Sequence, residues 1–148
     1  MNRETTEGTL IAEGAWHQID LPLRWGDMDA LNHLNNTIYF RVMEEARISI
    51  LLQAGLKLPD SEGPILAHAS CDFIKPFGYP ATVRVTHRLV RLGRSSMELD
   101  LTLEKVGDSS GPYARGRNVL VWMDYVANCS KAWPADVLAR LGAQFTAA

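Results

Sequence analysis

The sequence predicts an α+β fold in which an antiparallel sheet of about five strands is wrapped around one long central helix. Three observations carry that prediction. A stretch with two-residue apolar alternation comes first, one long stretch with helical periodicity follows, and four β-rich stretches punctuated by turn residues complete the chain. At 148 residues, with 47% hydrophobic and 22% charged side chains, the chain suits a single domain with its own core. Residues 1–14 are polar and aperiodic and are expected to form a flexible N-terminal segment, leaving residues 15–148 as the domain.

The first strand is expected over His17–Trp25, where Ile19, Leu21, Leu23 and Trp25 alternate with polar partners, and Pro22 on the polar side points to an edge or bulge. Gly26 to Asn36 is rich in turn formers. The spacing then predicts a helix over Thr37–Ala54, with Tyr39, Val42, Met43, Ala46 and Ile50 on its apolar face. Arg41/Glu45 and Glu44/Arg47 are available there as exposed ion pairs, Asn35 or Asn36 as the N-cap, and Gly55 as the terminating glycine. Leu51 and Leu52 widen the apolar stripe, so the helix is expected to be wrapped by other elements. Strands are predicted over 64–74, 81–92, 96–106 and 113–126, separated by turns at 76–80, 93–95 and 107–112, and a short helix over 134–144.

A net charge of −2 offers no general basic field for nucleic acid or anionic membranes. Cys71 and Cys129 are the only thiols, far apart in sequence, and read as free cysteines of a reducing cytoplasm. Since the N-terminus lacks the apolar run of a secretory signal, a soluble, cytoplasmic protein is expected.

Chemistry concentrates between the first strand and the helix. Asp27 and Asp29 precede the polar run Asn32-His33-Leu34-Asn35-Asn36, at the start of the predicted helix. A helix N-terminus offers unpaired N–H groups and the positive end of the macrodipole to a developing oxyanion. A carboxylate beside it can attack a carbonyl or activate water. Together they make a minimal acyl-transfer site. Asp, Asn and Gly are equally ordinary turn and capping residues, and spacing alone leaves both readings open.

The run Arg24-Trp-Gly-Asp-Met-Asp-Ala-Leu-Asn-His-Leu-Asn-Asn-Thr-Ile-Tyr39, continued by Phe40-Arg-Val-Met-Glu-Glu-Ala-Arg47, closely resembles the hot-dog-fold acyl-CoA thioesterases of the aspartate-type 4-hydroxybenzoyl-CoA thioesterase family. These share two aspartates separated by one residue, a tyrosine ten positions after the second, and an acidic-x-Ala-Arg-like stretch in the helix. The resemblance implies that Asp29 is the catalytic carboxylate, as nucleophile through a mixed anhydride or as general base for water. It places the oxyanion donor at the backbone N–H of Asn36, and makes Tyr39 the motif tyrosine, suited to packing and loop support near the substrate. In the related plant acyl-ACP thioesterases an asparagine lies two positions after the aspartate and a histidine four after. Here those positions hold Leu31 and His33, so the histidine matches and the asparagine is missing. His33 is thereby a candidate for orienting water or Asp29, or equally a loop-bracing donor.

Another hot-dog branch carries its carboxylate on the long helix, which directs attention to Glu44 and Glu45, but their neighbours Arg41 and Arg47 make ion pairs the simpler account. His17, His33, His68 and His87 are scattered without the close spacing of a metal site. In related thioesterases the turn at Arg94, Ser95 and Ser96 lies near the CoA nucleotide. Arg94 is thus a candidate phosphate contact, backed by Arg91 and Arg88, while a solvated hairpin tip is the plain alternative. Ser70 and Ser130 lie in no recognisable Ser-His-Asp pattern, and no Gly-x-Ser-x-Gly elbow occurs.

The expected activity is therefore hydrolysis of an acyl-CoA without cofactor or metal. The resemblance further implies a homodimer or homotetramer with active sites at the subunit interface. A different hot-dog enzyme, such as a hydratase, and a non-catalytic acyl-thioester binder are the alternatives; the binder would be favoured by an Asp29 turned away from the pocket.

Overall fold

The computed structural model describes residues 11–148. Of the N-terminal segment 1–14, residues 1–10 lie outside the described residues. Ile11 is buried in the core, and Gly14 donates its N–H to Leu89 O at 2.8 Å.

The chain runs β1 (Trp16–Pro22), a single 3-10 turn (Trp25–Asp27), α1 (Asn36–Gln53), β2 (Glu62–Phe73), β3 (Thr82–Leu92), β4 (Ser96–Lys105), β5 (Ala114–Asp124), β6 (Cys129–Ser130) and α2 (Ala135–Gly142). The sheet is antiparallel throughout, in the order β1-β3-β4-β5-β2, with β6 pairing on β5. The hot-dog arrangement expected from the sequence is the one found: a five-strand antiparallel path packed against one long helix.

Period-two alternation explains which face meets the helix. Val83, Val85, His87 and Leu89 of β3, Met97, Leu99, Leu101 and Leu103 of β4, and Ala114, Asn118, Leu120 and Trp122 of β5 are buried on one side. Against them α1 sets Tyr39, Val42, Met43, Ala46, Ile50 and Leu51. Gly116 lets α1 approach closely, since a Cβ there would lie 2.8 Å from Met43 Sδ and 2.9 Å from Ser70 O. The Asn35 side chain caps α1 by accepting from Thr37 N–H at 3.0 Å. Gly55, at φ 79°, ends it while Leu56 N–H donates back to Leu51 O.

Four local expectations are corrected. Arg47 is not an exposed partner of Glu44: it is 8% exposed, its Nη1 donates to Asn118 Oδ1 at 3.2 Å, and Glu44 lies 3.9 Å away at the edge of solvent. Leu52 is 54% exposed, so the sheet covers one side of α1 and leaves the other open. The strand predicted to reach 126 stops at Asp124. Its carboxylate accepts from the N–H groups of Val126 and Ala127, closing a turn that returns the chain as β6. Val126 looked like strand because it is β-branched, yet it is 84% exposed at the turn. The first strand similarly ends at Pro22 rather than Trp25, because Trp25–Asp27 winds into the 3-10 turn.

Candidate active site

The loop joining β1 to α1 sorts its two aspartates into different jobs. Asp27 is buried: its Oδ2 accepts the Arg24 N–H at 2.8 Å, and its carbonyl accepts the Asn35 N–H. Asp29 is exposed. Its Oδ1 accepts the N–H groups of Leu31 (2.8 Å) and His33 (3.0 Å), while its own N–H donates to His33 O at 2.7 Å. This tight local ring needs a left-handed residue, and Asn32 supplies it at φ 56°. The hydrogen bonds from His33 and then Leu31 hold the Asp29 carboxyl below its ordinary pKa, so it is ionised at neutral pH.

Asp29, His33, Asn36 and Tyr39 line one pocket of about 290 Å³, closed on the other side by Phe73, Ile74, Lys75 and Pro76. The helix end in this pocket is selectively open. Thr37 N–H is taken by Asn35 Oδ1 and Ile38 N–H by Asn35 O, whereas the Asn36 N–H has no acceptor among the described residues. Tyr39 is 2% exposed, with its ring edge-on to Phe73 (centroids 4.8 Å) and tilted against Phe77. Burial raises the pKa of its hydroxyl, so it is a neutral wall at physiological pH.

Arg94, Ser95 and Ser96 are not brought to this pocket within one chain. They form the β3–β4 turn, pinned by Trp133 N–H on Arg94 O and Trp122 N–H on Ser95 O. Asp29 lies at the end of the sheet where Pro22 pairs with Thr82, so β3 separates the two groups by roughly 30 Å. Glu44 and Glu45 also stay outside the Asp29 pocket, Glu45 lining a separate cleft with Arg41 and Asp27. Sequence reasoning missed the facing wall. Phe73, Ile74 and Lys75 close the pocket, with Lys75 Nζ bonded to Ser110 Oγ at 2.6 Å and lying over the Tyr113 ring. Their only sequence signal is their place just before the turn at 76–80.

Among the described residues no group of three or more His, Cys, Asp or Glu side chains is placed to hold a metal ion. No helix there is long and apolar enough to cross a membrane. Cys71 and Cys129 are unpaired.

Residues 23–141 match the model of a thioesterase-like superfamily. No curated protein matches the chain. Among solved structures, a thioesterase candidate from Pseudomonas aeruginosa is 38% identical, over 84% of this chain and 97% of that one, with a TM-score of 0.80. A candidate acyl-CoA thioesterase from Xanthomonas campestris is 30% identical over 74% and 94% of the two chains, TM-score 0.68. The 1,4-dihydroxy-2-naphthoyl-CoA thioesterase from Synechocystis shares the fold at 17% identity, over 85% and 95% of the chains, TM-score 0.77.

Proposed function

Because the chain belongs to the thioesterase-like superfamily of hot-dog proteins, we propose that it hydrolyses an acyl-CoA to the free acid and CoA, with Asp29 as the catalytic carboxylate. One observation carries the reading: an ionised Asp29, His33 and the unpaired N–H of Asn36 share a single pocket.

Two routes use the same groups. In the first, an Asp29 carboxylate oxygen adds to the thioester carbon, the C–S bond breaks, and CoA leaves as thiolate; water then cleaves the mixed anhydride and restores the carboxylate. In the second, Asp29 takes a proton from water as the water oxygen adds to the same carbon, and collapse of the tetrahedral adduct expels the thiolate. Both put negative charge on the carbonyl oxygen. The Asn36 N–H, backed by the positive end of α1, stabilises it. With Oδ1 held by two backbone amides, Oδ2 is the oxygen left to react. The His33 imidazole, carried by the residue whose backbone grips Asp29, orients the water or returns a proton to the leaving sulfur. No cofactor enters either route.

The active form in this reading is a homodimer, or a tetramer built from two such dimers. β2 is an edge strand of 12 residues, with Ile65, Leu66 and Phe73, and Ile74 just beyond it, exposed. Pairing β2 antiparallel with its own copy sets the Phe73 end of one chain beside the Glu62 end of the other. A second copy then brings its turn at Arg94, Ser95 and Ser96, which lies near its Glu62 end, to the end of the joined sheet that carries Asp29. There the turn can meet the CoA phosphates.

Short, long and aromatic acyl-CoAs, with released thiol followed by a thiol reagent, test the reading against Asp29→Asn. Turnover by wild type, lost in a variant that still binds substrate, is the expected result. Binding without turnover across the panel would replace the enzyme with a binder, and a fully active variant would move the chemistry to another residue.

A further inference from the structure

A buried charge sits away from Asp29. Arg47 is 8% exposed, and burial lowers its pKa from the ordinary guanidinium value. A buried guanidinium needs its N–H groups matched by acceptors. Among the described residues Arg47 has one hydrogen bond, from Nη1 to Asn118 Oδ1 at 3.2 Å, and Glu44 stands off at 3.9 Å. Asn118 turns its oxygen to Arg47 and gives one Nδ2 N–H to Arg117 O at 3.0 Å. The remaining Arg47 N–H groups are the charged donors at this point.

Those donors open onto a second pocket of about 300 Å³, whose walls include Phe40, Met43, Leu66 and Ala69. Its position relative to Asp29 follows from helical geometry. At about 100° per residue, Asn36, Phe40, Met43 and Arg47 fall within about 60° of one another on α1. The stripe begins at the proposed oxyanion donor and ends at the buried cation, roughly 16 Å further along the axis. The inner face of β2 runs beside it in the opposite sense, with Phe73 at the Asp29 pocket and Ala69 and Leu66 at the Arg47 pocket. The two pockets share no lining residue but lie along one face of α1 beside one face of β2, an acyl-transfer end at Asn36 and an end that offers N–H donors at Arg47.

Resting on the thioesterase reading, we propose that Arg47, positioned by Asn118, is a specificity residue that receives an acceptor oxygen at the far end of the acyl group. The preferred substrates are then medium-length acyl-CoAs with a terminal hydroxyl, keto or carboxylate oxygen rather than plain alkyl chains. A plain chain would displace solvent from the Arg47 donors without replacing its hydrogen bonds. Glu44 at the rim already offsets the cation, so a neutral acceptor suffices; a carboxylate would instead compete with Glu44 for it.

The test measures kcat/KM for decanoyl-CoA and its ω-hydroxy, (ω−1)-keto and ω-carboxy counterparts, with calorimetric binding of the corresponding free acids measured independently of turnover. Wild type should favour at least one oxygenated chain by about tenfold or more. Arg47→Met should erase that preference, bringing kcat/KM for the oxygenated chains down to or below that for decanoyl-CoA. Comparison among the oxygenated substrates identifies which oxygen is read. If Arg47→Met fails to fold, Phe40→Trp, altering a wall residue that is 41% exposed, should depress the oxygenated medium chains more than acetyl-CoA. Equal kcat/KM across the matched set, or a preference that survives Arg47→Met, overturns the subsite while leaving the hydrolase intact. Discriminating binding of the acids without turnover of any thioester sustains the subsite and overturns the hydrolase. Equal losses on all substrates in Phe40→Trp also overturn the subsite.

Discussion

The Asp29 loop and the buried polar group around His87 solve opposite electrostatic problems. Asp29 is exposed, and two backbone N–H groups stabilise its charged form. His87 is fully buried, and neither ring nitrogen has a protein partner among the described residues. Burial, then His17 paired opposite it, then Arg47, push its pKa down to about 3. One region keeps a charge ready by local backbone geometry; the other keeps a side chain neutral by packing. The proposed reactive carboxylate and the buried histidine thus lie in different regions, and each can be perturbed by its own substitution.

The largest effect should come from Asp29→Asn, which retains an oxygen for the Leu31 and His33 amides but removes the charge. We expect kcat/KM to fall on the order of 10³-fold, with a change in denaturation midpoint too small to account for it. A parallel loss of stability would mean that the loop and not the chemistry had been damaged. With Asp29 held below the ordinary carboxylate range, kcat/KM should also show no acid limb from this residue down to pH 5, measured where the fold is intact.

Next comes the acid response of the core. The folded pKa of His87 lies below its unfolded value near 6.5, so the unfolded chain binds a proton that the folded chain refuses. Stability should be full above that pH and fall below it at up to about 1.4 kcal/mol per pH unit, a loss of about 2 kcal/mol between pH 7 and pH 5. His17, also lowered chiefly by burial, acts in the same direction. Urea titrations at the two pH values should show the slope in wild type and its flattening in His87→Leu. An unchanged slope in that variant would place the acid sensitivity elsewhere.

Smaller effects sharpen the comparison. Asn35→Ala removes the cap acceptor of Thr37 and should cost about 1 kcal/mol by urea denaturation. Because the cap sits beside Asn36, activity should fall further than this stability loss explains if the helix end holds the oxyanion. Arg94→Ala should raise KM for acyl-CoA by only a few-fold, consistent with one exposed phosphate contact, and leave kcat nearly unchanged.

Much of this was legible in the chain order of residue types. Apolar alternation in Thr82–Leu92 and Ser96–Lys105 and the helical spacing of Tyr39, Val42, Met43, Ala46 and Ile50 reveal strand and helix faces, because both depend on near neighbours. The loop motif likewise singled out Asp29, His33, Asn36 and Tyr39, which the fold gathers around one pocket. Only tertiary structure decided that Asp27 goes inside while Asp29 stays out, that Arg47 is drawn under the sheet edge to Asn118, and that Phe73, Ile74 and Lys75 form the facing wall. Periodicity tells a side chain which face of its own element it occupies, whereas burial and partners depend on what another element, remote in sequence, brings against that face.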